Sequence, residues 1–375
     1  MTAMGQGAAQ PGKHGARERV PGEASGGAVT VCRRRGQDAA AWDRFVTEHP
    51  QGSPFHLCAW SEVLEDLMGQ RPHALAAWRA GQLVGVLPLT LCPKPGGGAN
   101  LISVPYAVYG GPLSLDLEVE RALLAAAERL AREEAVGRLD LRCLAELETP
   151  PGTDWVRSDL YVTFRRKLPD KPEEVLAAAP KKARAEVRKA RDRHALELCE
   201  GRWFAEDLLR LFHANKHALG SPGLPADLFQ RLLDSFGSAA TVHIVRHGGE
   251  AVAAVMSFLF QDTVLAYYSG TAAGADRALS ASNFMYTALQ EWAVAEGFAN
   301  FDFGRSRADS GPARFKMHQG FTASALCYRH LLVRAAGPPT FHPSNPKTAI
   351  LQQGWRSLPA WLARGISGPL SRYLP

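Results

Sequence analysis

No two cysteines of this chain stand in a Cys-x-x-Cys pair. The six that exist, Cys32, Cys58, Cys92, Cys143, Cys199 and Cys327, are scattered along 375 residues. That scatter excludes a zinc ribbon, a thioredoxin-like motif and a disulfide framework, and it fits reduced thiols in a cytoplasm. There is no P-loop and no Gly-x-Ser-x-Gly elbow, so neither a P-loop nucleotidase nor a triad hydrolase has support. His213 and His217 have the i, i+4 spacing of metal ligands, but Ala214 stands where a zinc protease carries glutamate, and no metal is expected. Residues 1–28 contain no apolar core of a signal peptide and are rich in Gly, Ala, Gln and Arg, a composition that predicts disorder. The longest apolar run, Ala251–Phe260, is about half the ~20 residues of a membrane-spanning helix, so no span is expected and the chain is assigned to the cytoplasm.

What is present suits two soluble domains. Hydrophobic residues make up 46% and charged residues 21%, and the length accommodates two cores of roughly 150 residues each. Lys and Arg exceed Asp and Glu by 43 to 37, a balance that favours anionic partners without choosing among them. Short helices are expected at residues 40–46 and 59–68. A hairpin is expected over 74–91, its second strand running from Leu83 to Leu91, with extended pieces at 101–104 and 106–110, a helix at 118–134 and a strand at 138–142. The second half repeats the order: a hairpin over 242–260, a strand at 263–269, a helix at 282–296 and a strand at 300–303. Gly81-Gln-Leu-Val-Gly-Val parallels Gly249-Glu-Ala-Val-Ala-Ala, and Leu139-Asp-Leu-Arg142 parallels Phe301-Asp-Phe-Gly304. Duplication of one mixed α/β unit follows. The expected boundaries are a tail at 1–28, domain one at 29–168 with Tyr161–Lys167 as its last strand, domain two at 169–335, and a C-terminal tail at 336–375.

Three segments carry candidate chemistry. Lys181–Arg193 holds seven basic and two acidic residues, with Lys181, Arg184, Arg188 and Arg191 on one helical face and Ala183, Val187 and Ala190 on another. Such a stripe suits phosphates, and it equally suits a solvated surface. Phe301–Lys316 leaves a strand through Gly304 and carries Arg305, Arg307, Arg314 and Lys316. Strand alternation turns Asp302 away from Phe301 and Phe303, where it could orient an amine or pair with an arginine. Tyr267, Tyr268 and Ser269 end the preceding strand, and a tyrosine hydroxyl there can donate to a developing oxyanion or simply sit in the core. The C-terminal stretch interleaves Leu358, Trp361, Leu362, Ile366 and Leu370 with Arg356, Arg364 and Arg372. It is expected to pack on the body of the protein, the other reading being contact with an anionic membrane face.

His217-Ala-Leu-Gly-Ser-Pro222, the Gly249–Phe258 hairpin, Ala266-Tyr-Tyr-Ser-Gly270, Phe301-Asp-Phe-Gly-Arg-Ser306 and Phe315-Lys-Met-His-Gln-Gly-Phe321 occur in the order found in FemAB-type proteins of the GNAT superfamily. Gly85–Leu89, Leu101–Pro105, Tyr109–Pro112 and Tyr161–Arg165 resemble that family too. The similarity covers about residues 40 to 335. The branch it resembles accompanies PEP-CTERM/exosortase systems and carries a BioF2-like acetyltransferase domain. The resemblance implies an α/β (α+β) fold of two tandem GNAT-like domains, each a mixed, mostly antiparallel sheet flanked by helices, with the cleft in the second. It implies N-acyl or aminoacyl transfer to an amine of a cell-envelope or exopolysaccharide precursor. The donor is acyl-CoA or aminoacyl-tRNA, and no DNA partner is implied. Asp302, Tyr268 and Lys316 are then the catalytic candidates. Arg184, Arg188, Tyr267, Ser269, Asn283, Gly304 and Arg305 are the substrate-binding ones. The Gly-rich pyrophosphate loop of CoA-binding relatives is not recognisable in Thr271–Arg277, although amides at the start of the Ser282 helix could hold a phosphate. The rival reading is a catalytically silent domain that binds a polysaccharide, lipid carrier or sorting partner; in either reading the chain is expected in the cytoplasm, with peripheral contact at the inner face of the cytoplasmic membrane as the alternative.

Overall fold

A computed structural model describes residues 27–149, 154–335, 337 and 346–375, with side chains undescribed at 346–349. The tail expected to be disordered therefore lies, up to residue 26, outside the described residues. The first half runs β1 (Thr30–Arg33), α1 (Ala39–Glu48), α2 (Cys58–Met68), β2 (Arg71–Pro72), β3 (Leu75–Arg79), β4 (Gln82–Leu87), β5 (Thr90–Pro93), β6 (Ala99–Ile102), β7 (Leu113–Ser114), α3 (Leu117–Glu133), β8 (Arg138–Leu141), β9 (Trp155–Ser158) and β10 (Tyr161–Lys167). The chain continues through α4 (Pro172–Ala178), α5 (Lys181–His194), β11 (Glu197–Glu200), α6 (Ala205–Ala218), α7 (Leu228–Phe236), β12 (Ala240–His247), β13 (Glu250–Phe260) and β14 (Thr263–Thr271). It ends with α8 (Ala275–Leu279), α9 (Ala281–Ala295), β15 (Asn300–Arg307), α10 (Gly311–His318), β16 (Ala323–Ala325), β17 (Tyr328–Leu332), α11 (Pro346–Ser357) and α12 (Ala360–Ser371).

The strands form three sheets, ordered β1-β3-β4-β7, β2-β5-β6-β8-β17-β9 and β11-β12-β13-β14-β15-β10-β16. The fold class is the expected one: mixed α/β, mostly antiparallel sheets flanked by helices. Only β6/β8 and β14/β15 pair in parallel among the described strands. In both cases a helical segment connects the two strands, as a parallel crossover demands. The helices form for local reasons. Asp116 accepts from the amide of Val119 at 2.9 Å to cap α3, and Arg79 ties down that cap and Glu118. Along α3, Val119, Leu123, Leu124, Ala127 and Leu130 are buried at helical spacing. On α5 the buried residues are Ala183, Val187 and Ala190, as the sequence pattern predicts.

Three expectations are corrected. The run Leu83–Leu91 is not one strand: it breaks at Pro88, so β4 lies in the four-stranded sheet and β5 in the six-stranded one. Proline carries no amide to donate, which makes it a natural break in a ladder. Tyr106–Gly110 is not extended, because Tyr106 adopts φ +60° in a turn. Tyr161–Lys167 does not finish the first half's sheet: as β10 it lies between β15 and β16 in the second half's sheet. The exchange is mutual, since β17, from the end of the second half, fills the first half's sheet between β8 and β9. The halves also share one core. Phe55, Trp60, Val104 and Tyr109 pack in a single buried cluster with Phe212, Phe229, Phe258 and Tyr268. The C-terminal tail packs on the body, as expected. His217 Nε2 meets Leu358 O at 2.9 Å, Ser367 Oγ accepts from the Gly223 amide at 3.0 Å, and Tyr106 Oη donates to Ser371 O at 2.8 Å.

Candidate active site

In the second half's sheet, β14 and β15 run parallel only from Thr263 opposite Asn300 to Leu265 opposite Asp302, and then part. Their outer edges stay paired, β14 to β13 as far as Thr271 and β15 to β10 as far as Arg307. The strands therefore diverge within an otherwise continuous sheet. Two bulges lie at the fork. Met256 faces Tyr268 and Ser257 faces Ala266, so Tyr267 is an extra residue in β14. Thr163 faces Arg305 and Arg165 faces Asp302, so Phe303 and Gly304 together oppose Phe164. Extra residues bend a strand and re-aim its side chains. Gly304 sits at φ +64°, a backbone region that favours glycine.

The divergence opens a cleft of about 510 Å³. Tyr267, Tyr268 and Ser269 line one side, and Phe303, Gly304, Arg305 and Ser306 the other. Helix α6 makes a wall with Phe212, Asn215 and Lys216. It comes this close because residue 270 is glycine: a Cβ there would stand 2.5 Å from the backbone of Leu211 and Phe212. From the first half come Tyr106 and Val108, and from the C-terminal segment Ser371 and Leu374.

Lys316 reaches the cleft from α10, whose first turn is capped by Ser310 Oγ accepting from the Ala313 amide at 3.3 Å. Its ammonium donates to Phe303 O at 2.7 Å, Gly304 O at 3.1 Å and Arg305 O at 3.3 Å. One cation thus holds both carbonyls of the bulge and the one that follows, while burial lowers its pKa to about 8. Burial also lowers the pKa of Lys216, whose ammonium lies 5.3 Å from the Phe212 ring centroid. Arg305 lies over the Tyr161 ring at 4.4 Å and donates to Tyr328 Oη at 3.3 Å. Burial opposes its charge, but Tyr328, Tyr161 and Tyr267 more than offset that and hold its pKa above the usual value.

The two tyrosines differ. Tyr267 donates to Tyr106 O at 2.7 Å. Tyr268 lines the cleft, and its buried hydroxyl has no hydrogen-bond partner among the described residues. Burial pushes its pKa well up, so it stays a neutral donor. Ser269 Oγ accepts from Tyr286 Oη at 3.0 Å.

Asp302 lies elsewhere. Its Oδ1 accepts from Tyr109 Oη at 3.0 Å and the Gly304 amide at 2.6 Å, and its Oδ2 lies 3.2 Å from Arg165 Nε. It lines a separate cavity of about 260 Å³ together with Tyr109 and Arg165. Burial raises its pKa despite Arg165, the Gly304 amide and Tyr109. Arg184, Arg188 and Asn283 are also outside the cleft. Arg184 donates to Ala177 O at 3.3 Å, Arg188 is exposed, and Asn283 accepts from Gln319. The first turn of α9 already holds a carboxylate, for Asp276 accepts from the Ser282 amide at 2.8 Å. The structure thus brings Tyr267, Tyr268, Ser269, Gly304, Arg305 and Lys316 together. It adds Tyr106, Lys216 and Tyr286, which sequence reasoning did not select. Lys216 adjoins the quoted His217–Pro222 motif, the only nearby signal; Tyr106 and Tyr286 carried none.

Residues 178–317 match the family described as an acetyltransferase (GNAT) domain, a span that contains the diverging strands and Lys316. The chain resembles the crystal structure of FemX, with a TM-score of 0.60 at 15% identity over 81% of this chain and 98% of that one. It also resembles the C-terminal domain of a putative lysylphosphatidylglycerol synthetase from Agrobacterium fabrum, with a TM-score of 0.50 at 12% identity over 89% and 98% of the two chains. L-PGS from Bacillus licheniformis gives 0.50 at 12% over 87% and 98%. At such identities the likeness is one of fold. No curated protein matches the sequence.

Proposed function

We propose that the chain is an N-acyltransferase of the aminoacyl-transferring kind, working in the cleft between β14 and β15. One observation carries the reading: Tyr268, whose buried hydroxyl has no hydrogen-bond partner among the described residues, lines a cavity opened by two diverging strands. A neutral donor fixed in a dry wall stabilises an oxyanion without reorganisation. The acceptor amine attacks the donor's acyl carbon, Tyr268 donates to the tetrahedral oxyanion, and collapse breaks the ester or thioester bond. The amine's proton leaves with the departing group or to solvent. Lys316 supplies a fixed positive charge beside the cleft and keeps the bulge in shape. Arg305 and Lys216 offer charge to an anionic substrate group. Asp302 serves as a positioning residue, since its carboxylate holds the Gly304 amide from outside the cleft. GNAT-type folds generally accept acyl-CoA. Here Asp276 occupies the start of α9, where a pyrophosphate would meet a carboxylate, and the exposed cations of α5 suit a nucleic-acid backbone. Both features favour aminoacyl-tRNA as donor. The acceptor in this reading is an amine of a cell-envelope or exopolysaccharide precursor of a PEP-CTERM/exosortase system, and the two domains meet near residue 168 apart from the exchanged strands.

The test is transfer of a labelled acyl group from aminoacyl-tRNA or acyl-CoA to amino-sugar acceptors by the purified chain. Transfer that falls about 10- to 100-fold in Tyr268→Phe supports the proposal. Thermal stabilisation by an acceptor with no transfer from either donor would replace it with the silent binding reading.

A further inference from the structure

We propose that the outward side of the C-terminal helix pair, α11 and α12, docks on an anionic lipid bilayer. Among the described residues, eleven large hydrophobic side chains are exposed, and six of them fall between residues 350 and 374. Ile350, Leu351 and Trp361 are 72%, 74% and 75% exposed. A helix of this protein that only needed to pack would not leave them outside, for α12 already buries Ala363, Ser367 and Ser371 at i, i+4 and i+8. The pair is also pinned to the body through Leu358, Ser367 and Ser371. Its apolar surplus is therefore presented by a rigid platform, not by a fraying tail.

Charge selects the occupant. No Asp or Glu follows Asp309, whereas eight Lys and Arg do, four of them between residues 346 and 375. Arg356 and Arg364 are exposed on the same helices as Ile350, Leu351 and Trp361. Indole and aliphatic groups beside guanidinium groups suit the boundary between acyl chains and anionic headgroups. No described helix is long and apolar enough to cross a membrane, so the pair lies on the surface. Ser371 and Leu374 line the cleft, so the segment that docks also forms part of the cleft wall. An RNA ligand would use the arginines but gain nothing from exposed Ile350 and Leu351. The docking surface stands apart from the transfer chemistry, because vesicle binding is read without turnover.

The experiment is co-sedimentation of the full chain with vesicles of phosphatidylcholine containing about 30 mol% phosphatidylglycerol, against phosphatidylcholine alone. Binding at least about tenfold tighter to the anionic vesicles and weakened by salt is expected. The combined variant Ile350→Ser, Leu351→Ser, Trp361→Ser should lose about tenfold or more with an unchanged melting temperature. Brominated lipid should quench the wild type more than Trp361→Phe, a readout that does not depend on how the triple variant folds. Equal binding to both vesicles, undiminished binding of the triple variant, or displacement by RNA with no bromolipid quenching would each overturn the proposal.

Discussion

The two halves contain the same fork, and only one is open. In the first half, β6 and β8 pair in parallel at Leu101 opposite Leu139 and Ile102 opposite Asp140 before they part, as β14 and β15 do. The residue after the fork is Arg142 in one half and Gly304 in the other. The Arg142 side chain is buried and donates to Val104 O at 2.9 Å and Ala107 O at 2.8 Å, so the space is plugged. Gly304 offers no side chain, and the equivalent space is the cleft. The plug is itself useful, because the loop it holds contributes Tyr106 and Val108 to the open half's wall. The acidic residues make the same comparison. Asp140 faces His330 on β17 and Asp302 faces Arg165 on β10, each a partner on an exchanged strand. A carboxylate kept in the closed half, which has no cleft, argues that this position serves architecture. They differ in strength. Burial works against both, but His330 and Arg138 outweigh it at Asp140 and lower its pKa, whereas at Asp302 burial prevails.

Breaking the open half should have the largest effect on activity. Lys316→Met is expected to lower kcat/KM by about 10²- to 10³-fold in a transfer assay, about 3–4 kcal/mol of transition-state stabilisation. Wild-type turnover should fall as pH rises through about 8, where the buried ammonium loses its proton. Lys316→Arg keeps its charge there, so its residual rate should show no such limb. Unplugging the closed half comes next: Arg142→Met removes the guanidinium from Ala107 O and leaves Val104 O only the Ala107 amide, and should cost about 3 kcal/mol of stability by urea unfolding. Replacing the paired acids should separate them. Asp140→Asn is expected to cost about 2–3 kcal/mol and Asp302→Asn about 1–2, because Asp302 is already the less favourably charged of the two. If Asp302→Asn instead abolished transfer at unchanged stability, the acid would belong to the chemistry. The smallest change is Gly304→Ala. The nearest atom to its new Cβ would be 3.8 Å away, so only the φ of +64° resists, at about 1 kcal/mol.

Much of this frame was legible in the sequence. The duplication showed in Leu139–Arg142 against Phe301–Gly304, and the buried face of α5 in its alanine and valine spacing. The cleft-lining group from Tyr267 to Lys316 came from one motif and the strand before it, since neighbouring strands bring such segments together. What was not legible depends on register and on distant packing. The bulge at Phe303 and Gly304 has no periodic signature beyond Gly304 itself. Lys216 and Tyr106 reach the cleft only through the tertiary fit that Gly270 permits and through the turn at Tyr106. The placement of β10 in the second half's sheet was equally hidden, because a strand's pattern reports burial and not which neighbour provides it.

That exchange of strands also bears on how the chain is made. While it leaves the ribosome, the first half lacks β17 and its six-stranded sheet stays divided between β8 and β9 until residue 332 has emerged. Meanwhile β10, already synthesised, has no sheet to enter. The nascent first half must therefore wait with unsatisfied strand edges, a state prone to wrong pairing. A gene split between the halves should yield two insoluble fragments that become soluble only when expressed together.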